Sequence, residues 1–566
     1  MDHIDLPREK KVKHLTLIRE PRTITSQEFN ALSFKERFEM VRVSDTSFRY
    51  NLLLEAHDGP RIMERLSGQD VFLMLKEVGV EAIEHLIPMV SPDQFTFCLD
   101  LDCWSEDYLE ADKALQWLEH LLACEEEKIL DVARKMNFEL LVLILKKHVT
   151  ILCGPEATDA SGARIEAERR DGGYEVSYRN DLEAKLFTTL FDVLFRLDPG
   201  FYNYMMTSIR GELDSMLEES VYQQRTGRLH DAGFPDPYEA KAVYGWLDPE
   251  SFDGKEGKLP MVSSEEEMAQ PAFMLIEANP RDLLAAALAE GLTPSTNWEL
   301  ACLANKVLMA DQVDLAEKSD VQQSLNQMYE TFNLALEYLC NSKEEAVELL
   351  GSAYFQHLFQ VGNSLKIQLQ RKAKELKQSE IGPFVDAPFG SFLESLLKKP
   401  HVLYFSGLDN PAESQERSFR SAIDLKKAEK WLAKIDAQRQ LFVDRMPFNL
   451  PTEDSFELIG CNPAKVENLT LSQILLTALA NQILGREFTP EPISVEELPG
   501  LHGSITRGGH LDAKLREDTV SWVDSLVAGA GSFADWCLEV WELEFCSVDP
   551  DQIDPRFVGG LIVRVD

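Results

Sequence analysis

A short acidic segment in the first third of the chain carries side chains that could bind a metal ion. Asp100, Asp102 and Glu106 lie within seven residues, and residues 100–139 hold twelve acidic and four basic side chains. Carboxylate oxygens are the ligands that Mg²⁺ and Ca²⁺ prefer, although an EF-hand loop would need a glycine at its sixth position and this segment has Ser105 there. The same carboxylates are typical of helix capping, which is the interpretation that the sequence favours.

A second candidate site lies near the middle of the chain, in the segment that follows Gly233. Tyrosine and glutamate side chains near a histidine are typical of acid–base chemistry or of ligand binding. A capped turn explains the same residues, with Gly233 ending one helix and Asp236 and Pro237 beginning the next. The sequence favours the capped turn, and the candidate ligand-binding residues are Asp236, Tyr238, Glu239 and Tyr244.

The known catalytic motifs are missing from the sequence. We find no phosphate-binding loop, no dinucleotide-binding glycine motif, no zinc-protease motif and no Gly-x-Ser-x-Gly. Whether the protein is an enzyme stays open at this stage. The interpretation that we favour is a non-enzymatic scaffold or regulatory interaction protein with a protein partner. The alternative is a metal-dependent enzyme or ligand-binding protein that uses the carboxylate cluster. No cofactor is predicted, although the carboxylates would allow a divalent cation.

The charge of the chain excludes two classes of partner. The sequence has 57 Lys and Arg against 96 Asp and Glu, a net charge of −39, which repels nucleic-acid phosphates and anionic lipid surfaces. The most apolar run, Leu140–Leu145, is far shorter than the roughly 20 residues that span a bilayer. The first residues lack the apolar segment of a secretory signal, and the cysteines form no Cys-x-x-Cys. We therefore expect a cytoplasmic protein with reduced thiols and no membrane span.

The spacing of apolar residues predicts a mainly α-helical fold. Short amphipathic stripes in residues 51–155 favour an α-solenoid-like array, because helices this short bury their apolar faces only by stacking. Alternating residues around Asp171-Gly172 predict a polar, exposed β-hairpin near 163–179 that projects from the body. The apolar ending predicts a short C-terminal strand. Ser342 and Glu345 fit a capping box that begins a long helix reaching about Lys377.

Changes in composition predict seven segments along the chain. Turn-forming and charged residues mark a linker or loop at 251–271, and a long-helix bundle follows it. The predicted segments are an N-terminal arm (1–50), a short-helix array (51–155), a β-hairpin insertion (156–180), a helical segment (181–250), the linker (251–271), the long-helix bundle (272–380) and a C-terminal mixed helical region (381–566).

Three segments resemble an uncharacterised bacterial family of unknown function over most of the chain: residues 233–249, Leu303–Leu308 and Tyr354–Leu376. This resemblance implies a bacterial cytoplasmic protein whose segments belong to one unit, and it implies no activity and no catalytic residues. The short helices of residues 51–148 are also similar to the cytoplasmic helical domain of magnesium transporters of the MgtE type. That local similarity implies an analogous fold and not transport.

Overall fold

The computed structural model is mainly helical, with only short strands. It describes residues 3–12, 15–44, 46–78, 80–105, 107–153, 169–171, 174–255, 257–258, 282–290, 294–315, 317–410, 414–452, 458–550, 553–554, 556 and 558–565. The mainly α-helical prediction is therefore confirmed. No helix in these ranges is long and apolar enough to cross a membrane. Most of the predicted linker and residues 163–168 of the predicted hairpin lie outside them.

The chain forms two compact units. Unit 1 comprises Met1–Leu247 and Ser251–Gln360, and unit 2 comprises Asp248–Glu250 and Val361–Asp566. The helices that begin in unit 1 are α1 (Ser26–Ala31), α2 (Phe34–Val43), α3 (Thr46–Glu55), α4 (Gly59–Arg65), α5 (Gly68–Glu77), α6 (Val80–Leu86), α7 (Pro92–Asp102), α8 (Ala111–Leu122), α9 (Glu126–Lys135), α10 (Phe138–His148), α11 (Asp181–Leu197), α12 (Pro199–Gly211), α13 (Asp214–Asp231), α14 (Pro237–Ala240), α15 (Leu283–Leu288), α16 (Pro294–Ala310), α17 (Lys318–Leu339), α18 (Lys343–Ser352) and α19 (Phe355–Gln378), with 3-10 turns at Ile87–Met89 and Lys241–Tyr244.

Two apolar clusters form the interior of unit 1. The first joins helices α1 to α13, and the second joins the turn at Lys241–Tyr244 to helices α15 to α19. The apolar run Leu140–Leu145 lies in α10, where each of its six side chains is at most 1% exposed. Complete burial of a side chain of this size stabilises a fold by about 1.5–3 kcal/mol. The run is therefore a central part of the core, as expected from its length.

The strands of unit 1 form small sheets beside the helices. They are β1 (His3–Val12), β2 (Leu15–Thr25), β3 (Trp104–Ser105), β4 (Tyr108–Leu109), β5 (Val149–Cys153), β6 (Arg169–Asp171) and β7 (Tyr174–Tyr178). Strands β6 and β7 pair antiparallel, which confirms the predicted hairpin. Strand β5 also pairs with β7, so the order is β5-β7-β6 and Val176 is fully buried. The expectation of an exposed polar flap is therefore wrong for β7, because β5 is a partner from outside the hairpin.

One predicted long helix is two helices in the structure. Ser342 accepts a hydrogen bond from the Glu345 backbone at 3.2 Å, so the predicted N-cap is confirmed. Helix α18 then ends at Ser352, and α19 begins at Phe355. Between the two helices Ala353 has an extended backbone, and the Phe355 backbone N–H donates to the buried carboxylate of Glu299 at 2.8 Å. The prediction of one uninterrupted helix reaching about Lys377 is therefore wrong. No local pattern indicates the contact at Phe355, because its partner Glu299 lies 56 positions away in the sequence.

Unit 2 contains helices and a small three-stranded sheet with the strand order β10-β14-β11. Its helices after α19 are α20 (Ala387–Leu397), α21 (Ala422–Gln440), α22 (Leu471–Ile483), α23 (Leu498–Ile505), α24 (Ala513–Leu526) and α25 (Gly531–Trp541). Its strands are β8 (Tyr404–Phe405), β9 (Glu416–Arg417), β10 (Cys461–Asn462), β11 (Ile493–Ser494), β12 (Thr506–Arg507), β13 (His510–Leu511) and β14 (Val563–Arg564). Shorter turns lie at Gly382–Phe384, Ser406–Leu408, Leu441–Arg445, Val466–Asn468, Val495–Glu497 and Glu542–Cys546. Strand β14 is the predicted C-terminal strand, and it pairs antiparallel with β10 and parallel with β11.

Candidate functional site

A cavity of about 660 Å³ lies in unit 1. It is lined by the ends of six helices and by α16; the six are α4, α5, α7, α9, α10 and α13. Cavities that hold organic ligands have volumes of roughly 300–1,000 Å³. The lining combines cations, carboxylates, amides and apolar side chains. It consists of Arg65, Leu66, Ser67, Gly68, Gln69, Asp93, Gln94, Thr96, Phe97, Lys135, Asn137, Arg228, Asp231, Ala232, Trp298, Ala301 and Asn305.

Capping residues fix the starts of three of the helices at this cavity. Ser67 accepts from the Asp70 backbone at 3.0 Å, and Asn137 accepts from the Leu140 backbone at 2.8 Å. Ser91 accepts from the Gln94 backbone at 3.2 Å in a complete capping box. These bonds satisfy backbone N–H groups that would otherwise lack partners in the first turn. Helices α5, α7 and α10 therefore begin at the cavity by local sequence signals.

Three other helices end at the same cavity, so the helix dipoles largely offset each other. Arg65, Lys135 and Asp231 are the last residues of α4, α9 and α13. The amide nitrogen of Gln94 donates to two carbonyl oxygens at the end of α4, both at 2.8 Å. Because positive helix starts and negative helix ends meet here, the side chains decide the charge of the cavity.

One cation of the lining, Arg228, forms an ion pair with Asp100, which does not itself line the cavity. The guanidinium Nε and Nη2 donate to Asp100 Oδ2 at 2.7 Å and Oδ1 at 2.9 Å. Asp100 is fully buried behind the cavity, whereas the Arg228 side chain is 28% exposed. Burial raises the pKa of the Asp100 carboxyl, and the neighbouring Arg228 guanidinium opposes that shift. The bidentate geometry holds the guanidinium in one orientation.

A chain of buried amides joins α5, α13 and α16. Gln69 Nε2 donates to Asn305 Oδ1 at 3.1 Å, and Asn305 Nδ2 donates to the Ala232 carbonyl at 3.2 Å. Next to Ala232, Gly233 has a positive φ of 82°, and a Cβ atom there would lie 3.0 Å from Cys302 Sγ. The predicted left-handed end of the helix at Gly233 is therefore confirmed. Glycine also permits the close approach to α16 that the amide chain requires.

Aromatic and aliphatic side chains provide the apolar part of the lining. Phe97 packs near Phe234 with their ring centroids 6.2 Å apart, and Trp298 from α16 is half-buried. A Cβ atom at Gly68 would lie 2.6 Å from the Phe97 ring, so only glycine lets this ring sit against the start of α5. Flat apolar surfaces beside a few fixed polar groups are typical of small-molecule sites.

The remaining charges of the cavity are mixed in sign. Lys135 pairs with Asp131 one turn earlier in α9, at 2.6 Å. Arg65, Asp93 and Asp231 are exposed, and none of them forms an ion pair within the part of the chain that the structure describes. The cavity therefore presents one unpaired cation, two unpaired carboxylates and the fixed guanidinium of Arg228.

The predicted metal ligands have protein partners. Asp100 is bound by Arg228, whereas Asp102 Oδ2 accepts from Lys76 Nζ at 2.6 Å and from Trp117 Nε1 at 2.7 Å. Glu106 lies outside the described residues. Within those residues, no three His, Cys, Asp or Glu side chains form a metal-binding group. A cation bound by Asp100, Asp102 and Glu106 stays a prediction.

The predicted ligand-binding residues do not line the cavity. Asp236 accepts from the Tyr238 backbone at 2.8 Å, as expected for a capped turn, and Tyr238 is 85% exposed beside Lys241. Glu239 is also exposed. The Tyr244 hydroxyl donates to Asp311 at 2.6 Å, and burial raises the pKa of Tyr244. These four residues lie outside the cavity lining, and ligand binding by Asp236, Tyr238, Glu239 and Tyr244 stays a prediction.

Sequence reasoning missed the residues that build the cavity. Arg228 lies five positions before Gly233, and Asn305 lies in one of the segments that carry the family resemblance. Neither residue has a local signal of function, because the partner of each is distant in the sequence. Arg228 pairs with Asp100, 128 positions away, and Asn305 bonds to Gln69, 236 positions away. The cluster appears only when α16 packs against the array.

This fold and cavity define a class of protein: a mainly helical protein with a cavity of polar and aromatic lining inside its first unit. The chain belongs to the family of unknown function DUF6178, which matches residues 26–564. The predicted membership in an uncharacterised family over most of the chain is therefore confirmed. No curated protein and no solved structure shows a significant match to the sequence.

Proposed function

We propose that this protein is a regulatory interaction protein that binds a small organic ligand in the unit 1 cavity. The observation that carries the proposal is the cavity itself, whose volume of about 660 Å³ suits an organic ligand. Its lining supports this role because rigid polar groups, the Arg228–Asp100 pair and the Gln69–Asn305 amides, lie beside aromatic surfaces. A bound ligand would contact both the array and α16, and it would thereby stabilise their packing.

A tryptophan that fills the cavity tests this function. Ala301 is buried in α16 and lines the cavity, so Ala301→Trp places an indole where the ligand would bind. Native mass spectrometry of the full chain detects co-purified small molecules, and a thermal-shift screen of organic compounds detects added ones. We expect binding by the natural protein and its loss in Ala301→Trp.

A size-matched variant controls for the effect of the new side chain. Ala31 is exposed at the end of α1 and does not line the cavity, so Ala31→Trp should keep ligand binding. Ala301→Leu adds less volume and should weaken binding without unfolding the protein. The proposal fails if no compound binds the natural protein, or if Ala301→Trp binds as well as Ala31→Trp does.

A scaffold role that needs no ligand is the second candidate function. Four large side chains on α11, on α12 and at the start of α13 are at least 59% exposed: Leu182, Tyr204, Leu213 and Met216. Exposed apolar side chains of this size support binding to a protein partner. The paired change Leu213→Ser and Met216→Ser should then release a partner that the natural protein retains in a pull-down from native lysate. A partner retained equally by both proteins would argue against this surface.

A further inference from the structure

We propose that the ligand of the unit 1 cavity is a small organic monoanion with a flat apolar body, such as an aromatic carboxylate or sulfonate. This inference rests on the proposed function, because it names the chemical class that the same cavity takes. Three features of the lining carry it: a fixed guanidinium, two unpaired carboxylates and two aromatic side chains.

The fixed guanidinium provides the anion contact. Asp100 occupies Nε and Nη2 of Arg228, and Nη1 has no hydrogen-bond partner within the described part of the chain. Because a guanidinium is planar and rigid, the buried carboxylate that binds one side determines where the remaining N–H groups point. Arg65 adds a second cation without an ion-pair partner among the described residues.

The carboxylates limit the ligand to a single negative charge. Asp93 and Asp231 line the same cavity, and both are exposed. A second anionic group on the ligand would lie near one of these carboxylates and would be repelled. A polyphosphate or a dicarboxylate is therefore a poor fit, whereas a single carboxylate or sulfonate binds Arg228 with the least repulsion from the aspartates.

The apolar body is assigned to the aromatic part of the lining. Phe97 and Trp298 come from α7 and α16, and the neighbouring Leu66 and Ala301 are buried aliphatic residues. Aromatic rings pack well against a flat ligand, and burial of the ligand's apolar surface adds affinity that a bare inorganic anion lacks. Inorganic phosphate alone should therefore bind weakly.

Two fluorescent probes with similar aromatic bodies test the proposal. The anionic probe is 1-anilinonaphthalene-8-sulfonate, and the neutral probe is N-phenyl-1-naphthylamine. Titration of the full chain should give saturable binding of both probes, with the anionic probe bound more tightly. Arg228→Met should weaken the anionic probe about tenfold or more, the usual effect of losing a hydrogen bond to a charged group, and should leave the neutral probe unchanged.

Further variants keep the test valid if Arg228→Met unfolds the protein. Arg65→Met removes an exposed and unpaired cation, and the double change Asp100→Asn with Arg228→Met removes both charges of the buried pair. Both should weaken the anionic probe selectively. Arg196→Met is the matched control, because Arg196 is exposed, pairs with Glu126 and does not line the cavity.

The outcomes separate this inference from the proposed function. If both probes bind with equal affinity and no arginine variant changes either affinity, the anionic class is wrong although the cavity still binds ligands. If neither probe nor any screened compound binds, the proposed function fails as well. Equal loss of both probes in Arg228→Met, with Arg196→Met unaffected, would assign Arg228 to folding and would overturn the inference. Displacement of the anionic probe by inorganic phosphate at a similar concentration would overturn the assignment of an apolar body.

Discussion

Removal of Arg228 should destabilise unit 1 far more than removal of an exposed arginine does. Arg228→Met deletes two charge-assisted hydrogen bonds, of 2.7 and 2.9 Å, and leaves the fully buried Asp100 without its counter-ion. Breaking a buried pair from one side costs about 3–5 kcal/mol. Arg228 is 28% exposed, so solvent already screens part of the interaction, and the lower end of that range is the better expectation.

A double-mutant cycle isolates the pair from other effects of the substitutions. Asp100→Asn alone leaves a partly exposed arginine that water can solvate, so it should cost about 1–3 kcal/mol. The double variant Asp100→Asn with Arg228→Met should cost less than the sum of the single changes. We expect a coupling free energy of about 2 kcal/mol, which is typical of directly bonded side chains.

Urea unfolding followed by circular dichroism measures these free energies, and hydrogen exchange of α7 and α13 shows whether the loss is local to the pair. Arg196→Met breaks an exposed pair with Glu126 and should change stability by at most about 1 kcal/mol. If Arg228→Met is no more destabilising than Arg196→Met, or if the coupling is zero, the buried pair does not hold α13 against α7. The argument for a guanidinium fixed at the cavity would then fail too.

Three further predictions concern single residues. Burial raises the pKa of Asp386 from 3.8 to about 6, so its stabilising effect is complete below its unfolded pKa and is lost as the pH rises through 6. Relative to Asp386→Asn, the natural protein should lose roughly 2.5 kcal/mol between about pH 4 and pH 7 in urea titrations, and parallel pH profiles would refute this. Gly233→Ala should lower the free energy of unfolding by about 1–2 kcal/mol in the same assay, because φ is 82° and the new Cβ lies 3.0 Å from Cys302 Sγ. An unchanged midpoint of urea unfolding would contradict this prediction. Added Mg²⁺ or Ca²⁺ should leave the melting temperature unchanged, because Asp100 and Asp102 already form ion pairs with Arg228 and Lys76. A rise in melting temperature that Asp102→Asn abolishes would restore the metal hypothesis.

Helix ends could be predicted from the sequence because their causes are local. Ser91 and Gln94 are three residues apart, and the capping box that they form needs nothing else. Gly233 closes its helix through bonds to the preceding turn, in which its backbone donates to His230. A mainly helical fold with these boundaries therefore follows from short-range chemistry.

The candidate site could not be predicted in the same way. Asp100 in the sequence is a carboxylate in an acidic segment, and that pattern is the same whether its partner is a metal ion or an arginine 128 positions away. Only the packing of α13 against α7 separates the two. Asn305 is likewise an ordinary helical amide until α5 brings Gln69 within 3.1 Å.

The net charge of the chain and the charged groups at the cavity act on ligands over different distances. At physiological ionic strength, charges separated by more than the Debye length of about 8 Å are largely screened. The net charge of −39 therefore acts on partners that approach a large part of the surface, and it disfavours nucleic acids and anionic membranes. Inside the cavity, contacts of about 3 Å decide, and there Asp100 is neutralised by Arg228 while Arg65 has no counter-ion among the described residues. An acidic composition is therefore compatible with an anion site, because salt screens the distant carboxylates and not the guanidinium in contact. The charge disfavours large anionic surfaces as partners, and it is compatible with a small anion as the proposed ligand.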